Sequence, residues 1–208
     1  MLVLRRAVRE IAQLEAKLDV ISAEQVDWVR FADVAKTPAP PVSQRTKANI
    51  GQLRDECTWK LMMLYKQHGP LKKLVPLAKW MLEYVKANKG NAGVQGDTLP
   101  TMLLGVGLFY QLGGTHAPYD APELWQAFKF IENAFKNDEA YGNIGPKNTL
   151  LGKGVLARIC RIRGDDAKCE SLLEEIQDWL DGHPLSMSPV DARHMLAEES
   201  NWDRPDED

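Results

Sequence analysis

No stretch of this 208-residue chain approaches the roughly 18 to 20 consecutive apolar residues that a membrane-spanning helix requires. The chain also has no Asn-x-Ser/Thr acceptor for N-glycosylation, which marks the surface loops of many secreted proteins. Because both signals are missing, we expect an intracellular protein that does not insert into membranes.

Disulfide and metal-binding motifs are missing as well. The three cysteines form no CxxC pair, and none of the four histidines belongs to an HExxH motif or a similar ligand pair. Cysteines inside apolar helical patterns are typical of reduced core residues. The sequence therefore predicts a reducing compartment, either the cytoplasm or an organellar matrix, and neither a metal nor a cofactor.

Recognisable catalytic motifs are absent too. There is no GxSxG sequence, and the glycine-rich run at 90–98 lacks the Gly-Lys-Ser/Thr ending that holds phosphate. A loop containing His116, Tyr119 and Asp120 is the first place to look for an acid or base. We predict a non-enzymatic protein with no catalytic residue; the alternative is an enzyme in an unrecognised helical fold.

The chain has no excess of positive charge. It contains 26 Lys and Arg residues and 29 Asp and Glu residues, which gives a net charge of -3. This balance lowers the expectation of nucleic-acid binding. Local cationic faces are still predicted on two segments. One combines Lys153, Arg158, Arg161, Arg163 and Lys168, and the other combines Lys72, Lys73 and Lys79. Such clusters are more typical of solvated faces than of binding sites.

Helical periodicity is what the sequence does contain, and no segment alternates as a strand does, so we predict an all-α fold. The patterns place helices at about 44–67, 71–85 with a bend at Pro76, 99–112, 121–136 and, as two consecutive helices, 153–180. Segments rich in turn-forming residues predict loops at 88–98, 113–120 and 137–147. A last short helix is predicted at about 188–198.

Composition divides the chain into four segments. Residues 1–36 form an N-terminal amphipathic, coiled-coil-like helix, and 37–43 are a linker with three prolines that cannot continue a helix. Residues 44–187 form the main helical domain, and 188–208 contain the short helix and an acidic tail.

The N-terminal helix has apolar residues at heptad a and d spacing. They include Leu4, Ile11, Leu14, Leu18, Ile21 and Trp28. One interpretation is a helix that pairs with a partner protein or with its own copy. The other is a helix that lies on its own domain. The basic start also resembles a targeting presequence, but the acidic residues that follow favour an uncleaved structural helix.

The clearest local pattern is a helical hairpin around Gly164. Val155, Ile159 and Cys160 recur at helical spacing, and the arginines of this run are predicted on the opposite side. Gly164 is expected to end the first helix in the left-handed conformation, and Asp165 or Asp166 to cap the second.

The same offsets occur three times in the chain. A large apolar residue, its neighbour, an aromatic or thiol residue and a turn glycine stand at offsets 0, 1, 4 and 8. The copies are Leu61, Met62, Tyr65 and Gly69; Val106, Gly107, Tyr110 and Gly114; and Leu156, Ala157, Cys160 and Gly164. This pattern resembles the tetratricopeptide (TPR) repeat, and in outline the pentatricopeptide repeat. The glycines are spaced more widely than the roughly 34-residue TPR period.

The resemblance implies a short TPR-like α-solenoid of stacked hairpins that acts as a scaffold or as a subunit of a larger complex. Its partners would be other protein subunits, with self-association through the N-terminal helix. The candidate partner-binding residues lie on or near the first helix of each pair: Lys60, Tyr65, Lys66, Tyr110, Lys153, Arg158 and Arg161. The alternative for the tyrosines is core packing. A pentatricopeptide-like protein would instead bind single-stranded RNA, and this alternative allows an organellar location.

Overall fold

A computed structural model describes residues 6–19, 44–88, 96–141, 144–184, 186–187 and 192. Side chains are described for these residues except 44–53 and 139–141. The predicted linker at 37–43 lies outside this part of the chain, as do Leu4, Ile21, Trp28 and almost all of segment 188–208.

All regular structure within those ranges is helical, which confirms the all-α prediction. Helix α1 comprises residues 6–19. It is followed by α2 (Gln44–His68), α3 (Leu74–Ala87), α4 (Thr98–Gln111), α5 (Pro122–Tyr141), α6 (Pro146–Arg163) and α7 (Asp166–Gly182). Short 3-10 turns, Leu71–Lys73 and Gly114–His116, precede α3 and α5. No helix in the described ranges is both long and apolar enough to cross a membrane.

Boundaries of α3, α5 and α6 differ from the prediction. The predicted loop at 137–147 is much shorter, because α5 continues to Tyr141 and α6 begins at Pro146. Proline is well suited to the first position of a helix, where a missing N–H costs no intrahelical bond. Pro76 is likewise not in mid-helix but in the first turn of α3.

The chain divides into two compact units, Met1–His68 and Gly69–Asp208. In the first unit, the Tyr65 hydroxyl on α2 donates a hydrogen bond to the Glu15 carboxylate on α1. Leu61, Met62 and Cys57 on α2 are buried, and so is Ala7 on α1. The apolar residues Ile11, Leu14 and Leu18 are half-buried.

Helix α4 is the central element of the second unit. It packs against α3, α5 and α6, while α6 also packs against α5 and α7. Most of α4 and α6 is therefore buried. The fully buried side chains of the core include Leu74, Met81, Met102, Leu103, Phe109, Leu124, Ile131, Ile159 and Ile176.

Glycines allow the helices of this unit to approach closely. A Cβ atom placed on Gly105 of α4 would lie 2.6 Å from Ile131 Cγ1 and 2.7 Å from the Ala127 carbonyl oxygen on α5. On α6, a Cβ atom at Gly152 would lie 2.5 Å from the ring of Phe135. The α4–α5 contact thus involves the backbone of α5 and has no room for a side chain.

The turn around Gly164 forms as predicted. Gly164 has φ 75°, and its N–H donates to the Arg161 carbonyl while that of Asp165 donates to the Cys160 carbonyl. This is the Schellman arrangement. The Asp165 side chain accepts a hydrogen bond from Lys168 N at 3.3 Å and caps α7.

The other two turn glycines of the repeat pattern, Gly69 and Gly114, also have positive φ angles of 66° and 62°. They differ in context. Helix α2 ends directly before Gly69, whereas α4 ends at Gln111 and Gly113 is left-handed as well. The second copy therefore closes with a longer turn than the other two.

We expect Gly105→Ala to destabilise the protein by about 1–3 kcal/mol, because the new methyl group forces α4 away from the α5 backbone. Alanine's better helix propensity offsets at most about 1 kcal/mol of this loss. Urea unfolding followed by circular dichroism measures the difference. Gly182→Ala is the matched control, since nothing lies within 4 Å of a Cβ atom there. Equal stability of the two variants would contradict the close α4–α5 contact.

Candidate functional site: an aromatic and cationic cluster

The candidate binding residues on α2 have different surroundings. Lys60 is exposed, while Tyr65 is only 3% exposed and hydrogen-bonded to Glu15. Burial, together with this bond, raises the pKa of Tyr65. Lys66 is half-buried, and desolvation lowers its pKa. The Tyr65 hydroxyl thus takes part in a contact between α2 and α1.

The remaining candidates lie in the second unit. Tyr110 is half-buried, and its ring meets that of Phe109 edge-on at 5.1 Å. Lys153 forms an ion pair with Glu175 on α7. Arg161 is exposed at the end of α6. The seven candidates are therefore divided between two units, three in the first and four in the second.

Arg158 corrects the predicted outer face of α6. The prediction placed it opposite the buried stripe, but it is 2% exposed and its Nη1 donates to the Gly154 carbonyl at 3.1 Å. The reason is that α6 packs against α4, α5 and α7 and is buried over most of its circumference. Arg158 thus belongs to the interior, and the exposed arginines of this helix end are Arg161 and Arg163.

A different group of side chains forms the most distinctive surface of the second unit. It lies where the start of α5 meets the α6–α7 turn, and we call it the Trp125 cluster. Its members are Trp125, Phe128, Lys129, Glu132, Arg163 and Lys168.

Aromatic rings form the base of the Trp125 cluster. The Trp125 ring stacks on that of Phe128, with a centroid separation of 5.0 Å and an interplanar angle of 9°. Phe128 is buried, whereas Trp125 is 41% exposed. A large apolar surface is therefore held in one orientation and still accessible to solvent.

Three cations lie against these rings. The guanidinium carbon of Arg163 is 4.4 Å from the centroid of Trp125, and Lys129 Nζ is 5.3 Å from it. Lys168 Nζ lies 4.5 Å from the centroid of Phe128 and 2.5 Å from a Glu132 carboxylate oxygen. The three distances from a cation to a ring centroid are in the range of cation–π attraction.

Local structure explains how these residues meet. Trp125, Phe128, Lys129 and Glu132 lie on one face of α5, because Phe128 and Lys129 are each three or four residues from both Trp125 and Glu132. Arg163 is the last residue of α6, and the turn at Gly164 leads directly to Lys168 in the first turn of α7. The spacing on α5 is visible in the sequence. The proximity of this α5 face to the α6–α7 turn is not visible in the sequence, because it depends on packing between helices that are distant in the chain.

The charges of the Trp125 cluster are only partly balanced. Lys168 is paired with Glu132. Within the ranges that the structure describes, Arg163 and Lys129 contact the Trp125 ring and no carboxylate. The arrangement combines a partly exposed aromatic ring with two cations able to bind an anionic group.

Potentially reactive side chains of the second unit include Cys160, His116 and His183. Burial, together with the nearby Asp165, raises the pKa of Cys160 to about 11, so this thiol is protonated at neutral pH. His116 is exposed, and His183 Nδ1 lies 2.8 Å from the Trp179 carbonyl oxygen at the end of α7. The described residues include no group of three or more His, Cys, Asp or Glu side chains suited to hold a metal ion.

We expect Arg158→Ala to lower stability by about 1–3 kcal/mol, because it removes a buried, packed side chain. Arg161→Ala removes the same charge from an exposed position three residues later and should change stability by less than about 0.5 kcal/mol. Thermal unfolding of both variants and the parent measures the two effects. A larger loss for Arg161→Ala would contradict the burial of Arg158.

The elevated pKa predicts slow alkylation of Cys160. At pH 8 roughly one thiol in a thousand is ionised when the pKa is about 11, compared with about one in four for an ordinary cysteine. Mass spectrometry after brief iodoacetamide treatment should find Cys160 modified in urea and largely unmodified in the native protein. Equal labelling in both conditions would show that the thiol is accessible and ionised.

Comparison with known proteins identifies no relative: no protein-family model, no curated protein and no solved structure matches this chain.

Proposed function

We propose that this chain is a non-enzymatic interaction module, a TPR-like arrangement of helical hairpins that holds a place in a larger protein assembly. The observation that carries the proposal is the exposed Trp125 ring, which is fixed by Phe128 and flanked by Arg163 and Lys129. Trp and Arg are the residues most enriched at the energetic centres of protein interfaces.

The helix pairs support the TPR-like part of the proposal. Each of the three repeated patterns ends at a glycine with positive φ, and each is followed by a second helix. Ala127, Ile131 and Ala134 on α5 are fully buried. Small residues on a second helix that faces the first are a feature of the family that the sequence resembles. Stacked pairs of this kind would leave the Trp125 cluster on their surface.

Charge pairing favours a protein partner over RNA. Of the five cations predicted to form a basic face, Arg158 is buried, while Lys153 and Lys168 are paired with Glu175 and Glu132. Sequence-independent binding to a nucleic-acid backbone relies on several cations that each neutralise a phosphate. The two remaining arginines would provide a small part of that charge.

Helix α1 is a second proposed contact surface. Val8 is 59% exposed, and the heptad residues Ile11, Leu14 and Leu18 are half-buried, so part of the apolar face is accessible. We propose that this face contacts a partner subunit or a second copy of the chain. The hydrogen bond between Tyr65 and Glu15 would orient α1 for that contact.

Purification of the tagged protein from its native extract tests this function. We expect stoichiometric protein partners that are lost or reduced at least about tenfold in Trp125→Ala, since an interface Trp contributes 2 kcal/mol or more. Lys136→Ala, an exposed site on α5 outside the Trp125 cluster, is the control. Unchanged circular dichroism should accompany the loss.

Deletion of residues before Thr37 should weaken the same assembly if α1 contributes to it. A chain that is recovered alone and as a monomer would contradict the proposed function. Crosslinking to RNA that equals or exceeds the yield of protein partners would favour the pentatricopeptide-like alternative.

A further inference from the structure

The side-chain geometry of the Trp125 cluster indicates the chemistry of its partner. Arg163 places its guanidinium over the Trp125 ring, with 4.4 Å between the guanidinium carbon and the ring centroid. At this distance the cation is attracted to the ring. Contact with the ring does not use the N–H donors in the way that a hydrogen bond to an acceptor would.

The donors of Arg163 have no acceptor among the described residues. A carboxylate matches this planar group, because its two oxygens can accept two parallel N–H bonds. Lys129 Nζ, at 5.3 Å from the same ring centroid, adds a second positive charge beside that position. Two cations beside one partly exposed aromatic ring define a site for one or two acidic groups next to an apolar group.

We infer that the Trp125 cluster binds an acidic segment of a partner protein, with carboxylates on Arg163 and Lys129 and an apolar side chain on the exposed part of Trp125. This inference rests on the proposed interaction function and specifies the partner's chemistry.

A polynucleotide fits the site less well. Lys168, the third cation, is already paired with Glu132. The two cations that remain would neutralise only a small part of a continuous phosphate backbone, whereas a short acidic peptide needs no more than two. The exposed indole also provides apolar area that a peptide side chain can cover.

Peptide binding to the purified full-length protein tests the inference. The probe is a fluorescein-labelled dodecapeptide of alternating leucine and acidic residues, and its matched control replaces every acid with the corresponding amide. Fluorescence anisotropy should show at least about tenfold tighter binding of the acidic peptide, as expected for charge-assisted hydrogen bonds at a partly buried site. Equal binding of the two peptides would overturn the inference.

Two arginine variants locate the site. Arg163→Gln should weaken binding of the acidic peptide about tenfold, and Arg163→Lys should weaken it less, because lysine keeps the charge but not the planar fork. Lys147→Gln removes one positive charge from an exposed site at the opposite end of α6 and should change binding less than about twofold. Equal losses in Arg163→Gln and Lys147→Gln would show a diffuse charge effect and overturn the assigned site.

Two further measurements separate other occupants. A uridine decamer that binds more tightly than the acidic peptide, and that depends on Arg163, would overturn the assignment in favour of a nucleic acid. The acidic end of this chain is the other alternative. If replacing Glu198, Glu199, Asp203, Asp206, Glu207 and Asp208 with amides raises peptide affinity more than about threefold, this end competes for the site and a partner segment is not needed.

The native assembly distinguishes failure of this inference from failure of the proposed function. An assembly that requires Trp125 but tolerates Arg163→Gln would retain the interaction function and contradict the acidic partner. Absence of any assembly would contradict the proposed function itself.

Discussion

Close packing of α4 against α5 is the constraint on which the rest of the second unit depends. Gly105 brings α4 against the backbone of α5, and Gly152 gives α6 a similar approach to the ring of Phe135. With α4 at the centre, α5 and α6 also pack against each other. The start of α5 then lies beside the α6–α7 turn, which is the placement that creates the Trp125 cluster. The surface site is therefore a consequence of small residues in the core.

The same packing decides which charges are available at the surface. A helix packed on several sides must bury some of its polar residues, and Arg158 of α6 is buried with a hydrogen bond to its own helix backbone. Lys153 and Lys168 reach carboxylates on neighbouring helices, because helix packing places those groups within range. The net result is a few uncompensated cations around an aromatic surface. This distribution suits selective contact with a short acidic segment better than neutralisation of a long polyanion.

Helical hairpins give such a site its rigidity. The Schellman turn and the Asp165 cap fix the angle between α6 and α7, so Arg163 and Lys168 emerge from ordered helix ends. Stacking on Phe128 restricts the Trp125 ring in the same way. Side chains that are ordered before binding lose less conformational entropy when a partner binds. The α6–α7 hairpin and the stacked rings of α5 thus present an ordered surface.

The sequence alone determined the elements whose cause is local. Apolar spacing of three and four residues predicted α2, α4 and α5, although α5 extends further than expected. Gly164 and Asp165 predicted the turn into α7, because backbone conformation and helix capping depend on neighbouring residues. It also identified Arg161 and Trp125 as residues of helices, but not their surroundings. Tertiary structure decided that Arg158 is buried, that Tyr65 bonds Glu15, and that Arg163 covers Trp125. The contacts of Tyr65 and Arg163 join residues on different helices, and the burial of Arg158 depends on the helices that pack around α6. All three therefore arise only when the helices have packed.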